Sequence, residues 1–339
     1  MYFRPHVLTP IATTDGRLLD FAPYVAAVDD EGRVAFQATL ADGHTGVFAG
    51  DGGRVADIAV STSATCPARV FASHPDLDGS GRLSVYATLK DGAEAVLRLH
   101  PDGRIETLGA PDGLPGIGPL GPTMNERGEV ALRATSPAGR ACVGVWRGEH
   151  FRALAEAGDT FHGFEGLPVV NDAGEVALRA DLADGRQGVF LHRDGRLETV
   201  ATTGDAFAEI GRFPALDGRG GVTFVARRGA GGWGIFASNP DGLGCLLDAG
   251  TGFESLRGVL VNDAGIAAFY GTPVGGRLGI YTGPDAARHR LLGLGDVLVD
   301  ATVVDFALNP VSVNARGQLA LRVALDDGRQ FILRADPRD

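Results

Sequence analysis

The chain is predicted to be all-β, a seven-bladed β-propeller with four antiparallel strands per blade, and three observations predict it. The first is a stretch written twice, VVNDAGEVAL at 169–178 and LVNDAGIAAF at 260–269. With Asn171 as reference, Asp or Asn recurs at Asp29, Asp78, Asn125, Asn171, Asp217, Asn262 and Asn314, 45 to 52 residues apart. That period is the size of a propeller blade. The second is composition: 51 glycines in 339 residues is too many for a helical protein, while 44% apolar residues suffice for a large core. The third is complementarity of the ends. After Asn314 only two strands remain, at 319–325 and 330–335, whereas HVLTPIATTDG at 6–16 matches RLETVATTGD at 196–205, the fourth strand of copy four. The N-terminal segment is therefore expected to complete the last blade and close the ring.

Each element of a copy follows from its residues. A glycine stands three residues after every reference position: Gly32, Gly81, Gly128, Gly174, Gly220, Gly265 and Gly317. Asp or Asn first and Gly fourth is the chemistry of a type I turn closed by a left-handed glycine, so NDAG reads as a hairpin turn. DLDGSG at 76–81 resembles a calcium-loop fragment but occupies this same turn, and no metal is assigned. Seven residues after each reference comes a large apolar side chain (Phe36, Val85, Leu132, Leu178, Phe224, Phe269, Leu321). One residue earlier the side chain is small (Ala35, Ser84, Ala131, Ala177, Thr223, Ala268, Ala320). Alternate residues of a strand face opposite sides, so each sheet has a bulky and a small face, as stacked blades require. In copy four the strands read 167–170, 175–182, 188–193 and 197–202. Residues 1–339 are expected to form one propeller domain, with 1–16 completing the last blade and blades starting near 21, 70, 118, 164, 210, 255 and 306.

The pattern Asn-x-x-Gly-x-Val-Ala-Phe, here NERGEVAL, NDAGEVAL, NDAGIAAF, NARGQLAL and, with Asp, DDEGRVAF, resembles the bacterial tandem-repeat proteins described by the NxxGxxAF motif. That family is mostly of unknown function, so the resemblance implies a scaffold and no chemistry.

Composition also bounds the partners. A formal charge of −11 with no basic stripe disfavours nucleic acid. No apolar run is long enough to span a bilayer, and the start MYFRPHVLTP lacks the order of a signal peptide, so a cytoplasmic protein without membrane contact is expected. Cys66, Cys142 and Cys245 lie far apart and suggest neither a disulfide framework nor a zinc site.

Function on a repeated frame belongs where the copies disagree, here the loops joining blade to blade. They hold Tyr24, His74, His162, Glu165, Arg212, Glu254, Arg257, Asp305 and Asn309. Glu165, His162 and His74 are the candidate proton-transfer residues. Arg212 and Arg257 are the candidate anion holders, and Tyr24, Glu254, Asp305 and Asn309 further substrate contacts. His162 and Glu165 stand beside Phe161 and Phe164, which can exclude water. Trp233, in the loop between second and third strands of copy five, is either an aromatic wall or blade packing. No GxSxG elbow, HExxH, Walker A or GxGxxG motif is present. The expectation is a cofactor-independent lyase, cyclase or hydrolase acting on a small organic molecule at the channel mouth. The alternative is a binding scaffold whose rim engages a protein or glycan.

Overall fold

The computed structural model describes residues 5–108, 116–204, 206–229, 231–239 and 242–338. Seven small antiparallel sheets form the seven blades of a β-propeller, and two 3-10 turns, Ala249–Thr251 and Pro310–Ser312, are the only helical pieces among the described residues. Blade four is the most regular, with strands Phe161–Val170, Val176–Leu182, Gln187–Arg193 and Arg196–Thr202 in spatial order. Its inner strand begins earlier than the sequence suggests, because Phe161–Glu165 still pairs with the second strand before a break in register. In blades one, two, three and five the inner strand is split into two short pieces, as in Ala68–Phe71 and Asp76–Leu77. Pro23, Pro75, Pro119, Pro122 and Pro214 occupy these gaps, where a residue without an N–H cannot sustain the ladder.

The ring closes in blade seven. Ala301–Ala307, Leu319–Leu325 and Gln330–Pro337 come from the C-terminal part, and His6–Thr13 pairs antiparallel with the last of them as the outer strand. Thr9 Oγ1 donates to Asp336 Oδ2 at 2.8 Å. The register of this closing strand slips between Pro10 and Ala12. An additional short strand, Val297–Leu298, folds onto the start of Ala301–Ala307.

Blade stacking explains the large and small columns. All seven large residues, Phe36 to Leu321, are at most 1% exposed, and all seven small ones at most 5%. Ala177 of blade four lies in one cluster with Phe207, Phe224 and Phe236 of blade five, so a small face receives the next blade's rings. In that trio Phe224 and Phe236 stack at 6.0 Å, and Phe207 meets Phe236 edge-on at 4.8 Å. Phe253, Phe269 and Tyr281 repeat the arrangement in blade six.

The repeated NDAG turn is a stitch between blades. Within its own turn, Asn171 Oδ1 accepts from Glu175 N at 3.0 Å, and Gly174 takes a left-handed φ of 80°. Asn171 Nδ2 then donates to Asp217 O of the next blade at 3.0 Å. Asn125 reaches Asn171 O, Asn262 reaches Asn314 O and Asn314 reaches Asp29 O in the same way. The residue four on is selected to match. Glu175 and Glu129 accept from the Asn amides at 2.7 Å, whereas Asp29 and Asp78 pair with Arg33 and Arg82. A second stitch runs from third strands: Arg98, Arg147 and Arg193 donate to the carbonyls of Gly128, Gly174 and Gly220 of the following blades. A third runs backwards, with Asp30, Glu126, Asp172 and Asp263 accepting from Ala315, Gly79, Glu126 and Gly218 of the preceding blades. The acids of DLDGSG are engaged likewise: Asp78 accepts from Arg82 and Ser80, and Asp76 from Leu77 N and Met124 N.

Candidate functional site

Two cavities differ in character. At the turn face a cavity of about 250 Å³ is bounded by all seven blades, including Asp29, Asn125, Asn171, Asp217, Asn262 and Asn314. These polar groups are the stitches just described. A second cavity of about 250 Å³ lies where blades five, six and seven meet, between the inner strand of blade six and its neighbours. Phe213, Val259, Leu260, Tyr270, Leu278 and Leu308 supply its apolar wall, and Arg257 stands on its lining.

Three of the expected residues share this level. Glu165 pairs in register with Arg179, and Arg257 with Tyr270, and both partners lie eight residues after their blade's turn Asn. Arg212, on the intervening blade, places Nε 3.4 Å from Glu165 Oε2. Close approach of the two blades makes the pair possible: a Cβ on Gly166 would lie 1.6 Å from the Arg212 carbonyl oxygen, so only glycine fits beside Glu165. Arg133 of blade three borders the same carboxylate. It donates to Phe164 O at 2.7 Å and to Pro119 O at 3.1 Å, and burial lowers its pKa while Glu165 pushes it back up.

The other expected residues lie elsewhere. His162 occupies the bulge between Phe161 and Gly163 and is exposed, and no described contact joins it to Glu165. His74 is 3% exposed, and burial pushes its pKa down to about 4, so it is neutral at neutral pH. A Cβ on Gly121 of the next blade would lie 2.5 Å from the His74 ring, which is the contact that shuts it in. Tyr24 is half-buried, and burial raises its pKa. Glu254 accepts from Gly275 N at 3.1 Å, and Asp305 pairs with Arg322 at 2.7 Å. Asn309 caps the turn Pro310–Ser312, accepting from Val311 N at 3.0 Å. Trp233 packs partly buried against the core cluster of blades five and six. Residues 109–115 and Asp205 of the linking loops, Ala230 before Trp233, and residues 1–4 of the N-terminal segment lie outside the described residues.

Sequence reasoning passed over the column eight residues after the turn: Gln37, Tyr86, Arg133, Arg179, Val225, Tyr270 and Arg322. Gln37, Tyr86, Arg179 and Arg322 are at most 5% exposed, polar letters inside apolar strands. Tyr270 bridges to blade seven, donating to Leu308 O at 2.8 Å and accepting from Leu308 N at 2.7 Å. Arg179 Nη1 lies 2.6 Å from Asp181 Oδ1, close for an ion pair but out of line for a hydrogen bond, and its Nε has no hydrogen-bond partner among the described residues. A polar letter at a fixed offset in six of the seven second strands, Val225 being the exception, is the signal that marks this layer behind the channel wall.

No protein-family model matches the chain, and no curated protein matches it. Among solved structures it is similar to an oligogalacturonate lyase from Vibrio parahaemolyticus, 11% identical over 98% of this chain and 98% of that one, with a TM-score of 0.60. It is similar to prolyl endopeptidases at 9% identity, over 96% of this chain and 51% of that chain, with a TM-score of 0.57. It is also similar to TolB from Acinetobacter baumannii, 13% identical over 91% of this chain and 64% of that one, with a TM-score of 0.43. The chain thus spans about half of the peptidase and under two thirds of TolB. At such identities the likeness is one of fold. Among the described residues no helix is long and apolar enough to cross a membrane.

Proposed function

We propose that the protein is a small-molecule enzyme of the lyase, cyclase or hydrolase kind, with its acid–base site in the channel at the level of Glu165, Arg212 and Arg257. The observation that carries this reading is their common level on three consecutive blades, with Glu165 and Arg212 3.4 Å apart and Arg257 on the lining of an apolar cavity. An arginine holds the substrate's anionic group, and the Glu165 carboxylate takes or returns the proton of the reacting bond. The test is turnover against a panel of esters, lactones and uronic-acid oligomers. Glu165→Gln should lower the rate by about 10²- to 10⁴-fold, while His162→Ala should leave it nearly unchanged. Full activity in Glu165→Gln would overturn the assignment.

One observation favours a scaffold role instead. The hairpin joining Val297–Leu298 to Ala301–Ala307 exposes Val297 by 75% and Val299 by 53%. Val299 and Asp300 at its tip take left-handed φ of 50° and 64°, a costly geometry for a β-branched side chain. Replacing both valines with Asp should abolish partner binding if the rim grips a protein or glycan, and leave turnover untouched if the channel site is the function.

A further inference from the structure

We propose that the cavity of blades five to seven binds an organic acid built as one carboxylate on a flat apolar body of aromatic-ring size, with Arg257 as its counterion. This rests on the channel reading above and supplies the class of molecule that Glu165 would meet. Size comes first. An apolar cavity of about 150 Å³ accepts benzene, and this one measures about 250 Å³. A ring with a short side chain fits, and a chain of several sugars does not.

Chemistry narrows the class further. Phe213, Val259, Leu260, Leu278 and Leu308 offer no side-chain donor or acceptor. The Tyr270 hydroxyl is engaged in both directions by the Leu308 backbone, so it presents only its ring, which stacks on Phe306 at an interplanar angle of 12°. Asn309 Oδ1 is taken by Val311 N, which leaves its Nδ2 as the one neutral side-chain donor on the lining. A single amide donor cannot serve several hydroxyl groups, and those facing the rest of the wall would go unpaired, which disfavours polyols. One lining group is cationic. Arg257 is exposed and has no hydrogen bond or ion pair with any described residue, whereas Arg212 is already paired with Glu165. A guanidinium so placed takes a carboxylate in bidentate fashion.

Calorimetric titration of the full chain with phenylacetate, indole-3-acetate, phenylacetamide and glucuronate tests this. Expected are binding of at least one aromatic acid, weaker binding of the neutral amide, and none of glucuronate. Arg257→Ala should weaken the aromatic acid tenfold or more and leave phenylacetamide unchanged, and Leu308→Trp, which fills the cavity, should abolish both. Circular dichroism confirms that each variant is folded, and Arg257, being exposed, leaves the core intact on removal. No binding of either aromatic acid, equal binding in Arg257→Ala, or glucuronate binding as well as the aromatic acids would each overturn the proposal. The two readings fail separately. Binding as expected with full turnover in Glu165→Gln removes the proton-transfer role alone, and absence of binding with turnover lost in Glu165→Gln removes the ligand class alone.

Discussion

Replacing Asn171 with Asp changes one atom and separates the two tasks of the stitch. The cap survives, because Oδ1 still accepts from Glu175 N at 3.0 Å. The cross-blade donor does not: Nδ2 presently serves both Asp217 O at 3.0 Å and Glu175 Oε2 at 2.7 Å. A bond to a charged acceptor contributes about 1.5–3 kcal/mol and a neutral one about 1. The site is 7% exposed, so little solvent rescues the new carboxylate opposite Glu175 and a carbonyl. The expected loss is therefore about 3 kcal/mol, read as a lowered urea midpoint at unchanged slope. Blades one and two indicate the repair, since Asp29 and Asp78 are each paired with an arginine four residues on. Because Glu175 also pairs with Arg193 at 3.1 Å, an arginine there would face a second guanidinium, and the double variant is Asn171→Asp with Glu175→Gln, whose amide can donate to the new carboxylate and should regain part of the loss. A single variant costing under about 1 kcal/mol, or a double variant no better than the single, would refute the stitch as a source of stability.

Three further predictions follow the same physics. Gly174→Val should cost about 1–3 kcal/mol, because φ is 80° and a Cβ would approach Arg127 Nη2 to 2.5 Å; unchanged urea stability would mean that the turn is misassigned. Removing residues 1–16 should lower the melting temperature of the whole ring and promote aggregation by baring Gln330–Pro337, and a truncated protein melting like the full chain would disprove closure by His6–Thr13. His74 and Asp76 titrate with opposite sign. Burial holds Asp76 up at about 7, so stability falls as pH rises from the ordinary carboxylate range through 7; burial holds His74 down at about 4, so stability is lost as pH falls from 6.5 through 4. The slopes offset each other over most of that window, and His74→Leu should unmask a decline of about 3 kcal/mol between pH 4 and 6.5, which a flat urea-stability profile would contradict.

The fold was legible because the turn, glycine, large and small columns repeat at fixed offsets, and burial filters only their size and polarity. The column that ends at Arg322 was not, because its letters are Gln, Tyr, Arg, Arg, Val, Tyr and Arg: the polar six each read alone as solvated strand residues, and Val225 breaks the pattern. Arg212 and Glu165 were legible as loop residues of neighbouring blades, but their approach depends on Gly166, whose role appears only when blade five lies against it. His74 reads as a loop base until Gly121, 47 positions on, closes over it. The apolar cavity has no local signature at all: Phe213, Val259 and Leu308 come from three blades and meet only because those consecutive blades pack side by side.

Closure by the first strand also sets an order of events during synthesis. His6–Thr13 has no partner until Gln330–Pro337 has been made, a separation of 327 residues between Thr9 and Asp336. At roughly 5–20 residues per second the strand waits on the order of half a minute as a free edge beside an incomplete ring. A free edge of that length recruits other chains, and the sequence answers with Pro10 in the middle of the strand, at the slip in register. Pro10 donates nothing to an intruding ladder, yet the finished sheet tolerates it because the register is already broken there. The slip itself recurs in the outer strands of blades one, three, four, five and six, where no proline stands, so Pro10 removes a ladder donor from the waiting edge at a place the repeat already leaves irregular.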